Sequence, residues 1–373
     1  MSTVTSPPGE DLVDTYIRMP QMRAIGITEY PEIGRVADKL KMLNVPTPRP
    51  CGSEVCVKLA ASAMHIDEIY AAQGTALGRF FGPKKVSEES PFLLGSSVSG
   101  TIVALGDDVS GFRIGDEVIA IPAEKGDVAS WAEYRCLDQK WIRHKPSELS
   151  HVDAAATVMA ACVAWGSIGF SDVKSGDHCV VVGASGAIGV MTLQFLKSLG
   201  CHVTAVCSGA SIAFVKQHGA DEIVDYTKDD FGDVAVANGV LYDAVFDCVG
   251  GRDVEASAFR CLKKTGVFET VVGPMKYIGE KKLSWPAFLK IMLYIVWRMT
   301  ITRLNGGPRY TFGEKYPRLV INDALDRVLK YNIRMPVPKI VPFEIEPITQ
   351  AIRDIQTHRS KGRTVIDFSL RSV

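Results

Sequence analysis

The chain has 373 residues, enough for two domains and a sizeable core. Apolar residues make up 47% and charged residues 23%, an ordinary globular balance that excludes a mainly disordered or fibrous chain. Lys+Arg and Asp+Glu both number 42, and neither a basic excess nor a basic stripe is present to draw in nucleic acid.

Met1 to Pro20 carries Glu10, Asp11 and Asp14 against Arg18 alone. It is neither a secretory signal nor an Arg-rich transit peptide, and it reads as a flexible lead-in. The nine cysteines are odd in number, form no C-x-x-C pair and sit partly inside apolar runs, which fits a reducing compartment. A cytoplasmic location is expected, with a mitochondrial one as the alternative if a presequence has been removed.

Met22–Ile27, Val55–Ala60, Ser97–Leu105 and Glu117–Ile121 are short β-prone runs separated by Gly, Pro and Asp turns, and they predict a β-rich domain. Near Asp153 the pattern changes. An Ala-rich helix, Asp153 to Phe170, leads into strands at His178–Gly183, His202–Cys207, Glu222–Val224, Tyr242–Cys248 and Gly266–Val272. Helical patterns alternate with them at Gly186–Leu199, Ser211–His218, Asp229–Asn238 and Val254–Leu262. Five strands alternating with helices predict a doubly wound parallel sheet, an α/β Rossmann fold. Leu283 to Ile301 is apolar but broken by Lys290 and Arg298, too short an uncharged run to span a bilayer. It reads as a buried or interface helix, or as an apolar lip beside a substrate site. After Pro317 come a helix at Leu319–Tyr331, a strand at Lys339–Phe343, a helix at Pro347–Thr357 and a strand at Thr364–Phe368. The expected division is residues 1–150 and 314–373 in the β-rich domain and 151–313 in the Rossmann insert.

The strongest motif is VVVGASGAIG, Val180 to Gly189, with glycines at Gly183, Gly186 and Gly189 between a strand and a helix. Such glycines let backbone approach a pyrophosphate, whose charge the first helical N–H groups favour. An NAD-specific site usually carries an acid at the end of the second strand. None occurs between Cys201 and Gln217, and Ser208 and Ser211 could donate to a 2′-phosphate, so NADP(H) is the expected cofactor.

SGTIVALGDDVSGFRIGDEVIA (Ser99–Ala120), GASGAIG, GADEIVDY (Gly219–Tyr226), DAVFDCVGG (Asp243–Gly251) and KGRTVIDF (Lys361–Phe368) occur in one order, and the chain resembles the medium-chain dehydrogenase/reductase superfamily over nearly its whole length. HVTAVCS (His202–Ser208), ETVVGP (Glu269–Pro274) and GGPRYTF (Gly306–Phe312) are similar to the reticulon-interacting mitochondrial branch of the zinc-free quinone oxidoreductases. The resemblance implies a GroES-like catalytic domain closing over the nicotinamide, a cleft between the domains and a homodimer. It places Ser185, Ala187 and Ile188 at the pyrophosphate, Ser208 at the 2′-phosphate and Tyr226 at the adenine. Cys248 and Val249 would flank the nicotinamide ribose, Val272 and Gly273 would lie near the carboxamide, and Phe312 and Lys361 would close the site from the other domain.

Zinc-dependent members carry Cys-His-x-Asp and Gly-His-Glu runs. Here Met64-His65-Ile66-Asp67 and Gly95-Ser96-Ser97 stand at those positions, which removes the thiolate and imidazole that hold tetrahedral zinc, so no metal site is expected. Hydride transfer to a quinone or an α,β-unsaturated carbonyl fits better than alcohol oxidation. His65, Tyr70 and Tyr310 are the candidate catalytic donors, with Ser96 and Ser97 as further polar positions. The alternatives are an enoyl or enone reductase of lipid or secondary metabolism, for which Lys84, Lys85, Lys276, Lys281 and Lys282 could form a basic entrance, and a non-catalytic NADPH-binding sensor.

Overall fold

The computed structural model describes residues 10–75, 83–121, 129–315 and 317–371. They divide into two compact units, residues 1–158 with 337–359 and 363–373, and residues 159–336 with 360–362.

The first unit opens with helix α1 (Glu10–Ile17) where a flexible lead-in was expected. Tyr16 anchors it: the side chain is buried, its hydroxyl donates to Pro48 O at 2.7 Å, and the Arg49 guanidinium lies over its ring. Strands β1 (Gln21–Ile27), β2 (Lys41–Pro46), β3 (Glu54–Ala63), β4 (Phe92–Leu93), β5 (Val98–Leu105), β6 (Glu117–Ala120), β7 (Tyr134–Asp138) and β8 (Ile142–His144) follow, with helix α2 (Ile66–Ala72) after β3. They form a three-stranded sheet, β2-β1-β4, and the greater part of a seven-stranded one. One core of this unit packs Ile25, Ile27, Met64, Ile69, Phe92 and Trp131 against residues from the end of the chain.

Helix α3 (His151–Ile168) leads into the second unit. Among the described helices it alone is long and apolar enough to cross a membrane, but 67% of it is buried within the protein, as in a core helix. Strands β9 (His178–Val182), β10 (His202–Cys207), β11 (Glu222–Asp225), β12 (Tyr242–Asp247), β13 (Leu262–Thr270) and β14 (Arg309–Phe312) form one parallel sheet. Its order is β11-β10-β9-β12-β13-β14, the doubly wound arrangement whose switch point lies between β9 and β12. Buried on both faces, β9 reads as the apolar run Cys179–Val182, and such runs made the central strands legible in the sequence. The sixth strand is additional to the five expected. Helices α4 (Ala187–Ser198), α5 (Ile212–Gln217), α6 (Phe231–Ala237), α7 (Arg252–Cys261) and α8 (Trp285–Leu304) fill the connections.

Helix α9 (Pro317–Lys330) was expected in the β-rich domain and belongs instead to the parallel-sheet unit. Arg327 donates to Ser198 Oγ at 3.1 Å and stacks over Trp165, and Gln194 donates to Arg334 O at 2.9 Å. The return to the first unit therefore comes at residue 337, through β15 (Lys339–Pro342), helix α10 (Ile345–Gln356) and β16 (Thr364–Asp367), which pairs β3.

Within the parallel sheet Glu269 is buried on β13 between Phe246 and Thr311, and neither carboxyl oxygen has a hydrogen-bond partner. The Thr311 hydroxyl donates to Phe268 O instead. Burial pushes the Glu269 carboxyl up to about 9, so it is folded in as the neutral acid. The unfolded chain releases that proton near pH 4.5, so the native state holds one more proton between those values and stability falls as pH rises. Glu269→Gln is expected to gain on the wild type by roughly 1.4 kcal/mol per pH unit from pH 5 to 8. Urea unfolding across that range reads the gap, and a gap that does not change with pH contradicts the assignment.

Candidate nucleotide site

The glycine loop lies at the carboxyl end of β9, beside the switch point, where open α/β sheets bind ligands. Gly183 has φ +77°, and a Cβ there would sit 2.7 Å from Val249 Cγ2, so both conformation and space require glycine. A Cβ on Gly189 would collide with Gly183 O and Ala184 Cα, so glycine lets α4 press onto the strand end. Gly186, the N-cap of α4, is different. No side chain caps the helix, and a Cβ there would meet only Gly183 O at 3.4 Å. The start of α4, flanked by half-buried Ser185, Ala187 and Ile188, is thus an open cradle at the positive end of a 12-residue helix dipole. A dinucleotide pyrophosphate fits it.

The turns after β12 and β13 are held by one buried pair that sequence reading did not single out, although DAVFDCVGG and ETVVGP contain it. Asp247 Oδ1 accepts from Val249 N and Gly250 N, both at 2.9 Å, and its Oδ2 accepts from the Thr270 hydroxyl at 2.8 Å. Thr270 Oγ1 in turn accepts from Gly273 N at 3.0 Å and Val272 N at 3.3 Å. The pair sets Cys248 and Val249 beside Gly183, and Val272 beside Gly250. Phe312 ends β14 next to Thr270, and its ring lies 3.1 Å from where a Gly273 Cβ would be. Burial raises the Cys248 thiol far above its ordinary value, so it is no nucleophile at neutral pH.

Ser208 and Ser211 bracket the turn after β10, and Tyr226 is exposed after β11, its N donating to Cys207 O at 3.1 Å. Residues 360–362 return to this edge. Gly362 N donates to Ser185 O at 3.3 Å, and Lys361 Nζ donates to Ala210 O at 2.8 Å. Lys361 and Phe312, expected from the other domain, thus both belong to the parallel-sheet unit. A Cβ on Gly362 would collide with Pro336 O. The second strand carries no acid, but β11 supplies one: Asp225 pairs with Cys207 in the sheet, and its carboxylate lies against Gly209. It accepts from Thr227 Oγ1 at 2.7 Å and Thr227 N at 3.1 Å, and the first of these bonds holds its pKa below the usual range. The turn therefore has a cation on one side and an anion on the other.

The remaining candidates separate. Tyr310 is 1% exposed, packed on Phe268 at 5.4 Å between centroids and covered by Arg298. This corrects its assignment as a proton donor, since an acceptor cannot reach a phenol in the sheet core. In the first unit His65 precedes α2, buried, with Nε2 2.6 Å from Ser97 Oγ, and burial lowers its pKa well below the ordinary value. Met64 is buried in the apolar core. Tyr70 is half-buried on α2. Glu68, which sequence reading passed over, is buried and accepts from Ser96 N and Oγ, both at 2.7 Å, and from His65 N at 3.1 Å. Desolvation pushes it up to about 7 against these bonds. Of the entrance lysines, Lys276 is paired with Asp253, while Lys84, Lys85, Lys281 and Lys282 are exposed.

Comparison with known proteins fits this geometry. Residues 187–314 match the family model described as zinc-binding dehydrogenase, and residues 52–147 that of the alcohol dehydrogenase GroES-like domain. The chain is 32% identical to the mitochondrial NAD(P)H oxidoreductase RTN4IP1 of Mus musculus, over 98% of this chain and 94% of that protein. It is 33% identical to the chloroplastic quinone-oxidoreductase QR1 of Triphysaria versicolor, over 61% of this chain and 68% of that one. A solved quinone oxidoreductase from Coxiella burnetii superposes with a TM-score of 0.76 at 23% identity, covering 94% of this chain and all of that one, which bears on the fold alone.

The two glycines of the cradle separate binding from folding. Gly186→Ala is expected to leave the melting temperature nearly unchanged and to weaken dinucleotide binding about tenfold or more, because its methyl enters ligand space. Gly189→Ala is expected to lower both, because its methyl enters the protein. Nicotinamide fluorescence titration beside thermal unfolding distinguishes them, and equal destabilisation by both variants contradicts the cradle.

Proposed function

The chain belongs to the medium-chain dehydrogenase/reductase superfamily, among its quinone oxidoreductase-like enzymes, and from that premise we propose that it is an NADPH-dependent, zinc-independent reductase of quinones or related α,β-unsaturated carbonyls. Membership makes it an oxidoreductase using a nicotinamide cofactor, and the further particulars are our reading. The observation that carries it is the open, uncapped start of α4 with Lys361 at the neighbouring turn.

The bound cofactor would supply a hydride, two electrons with one proton, and a second proton from water or an acid completes the hydroquinone or saturated carbonyl. The α4 N–H groups would hold the pyrophosphate, and the Asp247–Thr270 pair would keep the turns on which the nicotinamide end rests. Lys361, Ser208 and Ser211 would meet the 2′-phosphate. The Asp225 carboxylate, bonded to Thr227, lies against Gly209 and leaves its negative charge at the same turn.

Zinc independence is supported by the donor set. Met64 offers no thiolate and lies in the apolar core, and the His65 ring is engaged with Ser97. Among the described residues no three His, Cys, Asp or Glu side chains converge. A conjugated acceptor also needs no Lewis acid as strong as alkoxide formation does. The mitochondrial relatives favour the mitochondrial alternative over the cytoplasm. A homodimer, implied by the family, belongs to the same reading.

The direct test adds NADPH, and separately NADH, to the purified chain with a panel of quinones and enones, with and without chelator. Acceptor-dependent consumption that prefers NADPH and survives chelation is expected. Tight NADPH binding with no consumption overturns the reductase reading in favour of a sensor. The preference has its own signature. Lys361→Met is expected to raise KM for NADPH about ten- to a hundredfold with little change for NADH, the range of one charge-assisted bond. Asp225→Asn is expected to lower KM for NADPH a few-fold. Equal effects of Lys361→Met on both cofactors contradict the role given to it.

A further inference from the structure

Helix α8 presents two apolar faces. Its inner face, with Ile291, Ile295 and Thr302 buried, is fixed to the sheet unit: the Thr302 hydroxyl accepts from Tyr310 N at 3.0 Å, Arg298 pairs with Glu255, and Tyr294 donates to Glu255 at 2.9 Å. Its outer face carries Trp285, Leu289, Leu293, Val296, Trp297 and Leu304, each more than half exposed. At 3.6 residues per turn these six share one stripe about a third of the way round the helix. A shallow groove lined by Val296, Met299, Thr300, Arg303 and Leu304 continues it. Thr300 interrupts the strip, yet soluble proteins rarely expose so many large apolar side chains on one helix face without something to cover them.

The charges decide what covers it. On the same helical wheel Lys290 falls on one border of the stripe and Arg303 on the other, both exposed. Lys281 and Lys282 stand exposed just before the helix. From residue 281 to residue 313 the chain has no Asp or Glu. Two copies meeting through this face about a twofold axis would set cations against cations, with no acid on the segment to answer them. A negatively charged bilayer surface answers them all, while the apolar stripe enters the acyl boundary and the two tryptophans sit at headgroup depth.

We propose that the outer face of α8 docks on an anionic lipid surface, with the helix lying in the plane of the interface. Docking is a property of this helix and does not depend on which acceptor is reduced. It would give the chain access to acceptors dissolved in the lipid.

The test sediments the full chain with vesicles of phosphatidylcholine alone and of phosphatidylcholine with phosphatidylglycerol. Binding to the anionic vesicles is expected, with a blue shift of tryptophan emission and at least a tenfold loss when salt is raised from 0.1 to 1 M. Leu289→Glu with Leu293→Glu is expected to reduce the partition coefficient at least tenfold, with NADPH affinity and melting temperature serving as the check that the variant is folded. Lys281→Gln with Lys282→Gln and Lys290→Gln, which leaves the apolar stripe intact, is expected to abolish the preference for anionic vesicles. The proposal is overturned if the wild type ignores anionic vesicles or if either variant binds like the wild type. It is also overturned if sedimentation equilibrium shows a dimer that Leu289→Glu with Leu293→Glu dissolves, for then the stripe joins two copies. A chain that binds vesicles and reduces nothing removes the reductase reading and leaves this one standing.

Discussion

The nucleotide end of the molecule depends on how closely α4 approaches the carboxyl end of β9. No side chain is tolerated at Gly189 or Gly183, and that close approach leaves the first N–H groups of a long helix facing outward with no cap. Unsatisfied donors at a helix start are ordinarily covered by a Ser, Thr, Asp or Asn side chain. Gly186 withholds one, so the donors are left for an anion. The same turn receives the 360–362 segment through the Gly362 to Ser185 bond, which brings Lys361 to the turn after β10. The open helix start and the placement of Lys361 at that turn are therefore both tied to the backbone around Ser185 and Gly186.

At the other end of the site a buried polar pair takes over from glycine. Asp247 and Thr270 stand opposite one another on adjacent parallel strands, and their side chains satisfy five backbone or hydroxyl donors between them. Burying a carboxylate is costly unless its oxygens are hydrogen-bonded, and here both are, with three bonds between them. One residue earlier on β13, Glu269 faces the opposite side of the sheet without such partners. Burial raises the pKa of both neighbouring carboxyls, but hydrogen bonds oppose it at Asp247. Asp247 is hydrogen-bonded into the structure of a turn, and Glu269 is neutral by desolvation.

The legible part of the chain was the part where periodicity and chemistry agree. A continuous apolar run marks β9 because a parallel sheet is covered on both faces, and the glycine spacing is visible without coordinates. What was illegible came from register and long-range return. Strand β14 has four residues after a twenty-residue helix, so no alternation announces it. Asp225 reaches the turn after β10 only because β11 pairs with β10 at Cys207. Tyr310 looks like a donor in the sequence and is a core aromatic in the fold, because alternation along β14 turns it toward α8 while Thr311 faces the other way. Lys361 lies inside a motif that ends in a strand of one unit, yet its own three-residue segment packs with the other.

Helix α8 shows the same tension between local pattern and tertiary demand. A helix apolar all round is normally buried all round, and a surface helix is normally apolar on one side. This one satisfies its inner side with Ile291, Ile295 and a hydrogen-bonded Arg298–Glu255 pair and leaves the outer side apolar. The charge pattern is what separates an interface from an accident. Cations border the stripe and acids are absent for more than thirty residues around it, whereas the whole chain holds equal numbers of each. A neutral protein that segregates its acids away from one apolar helix face has built a local field there. The fold requires only the inner face, so the outer one answers to a surface the chain itself does not contain.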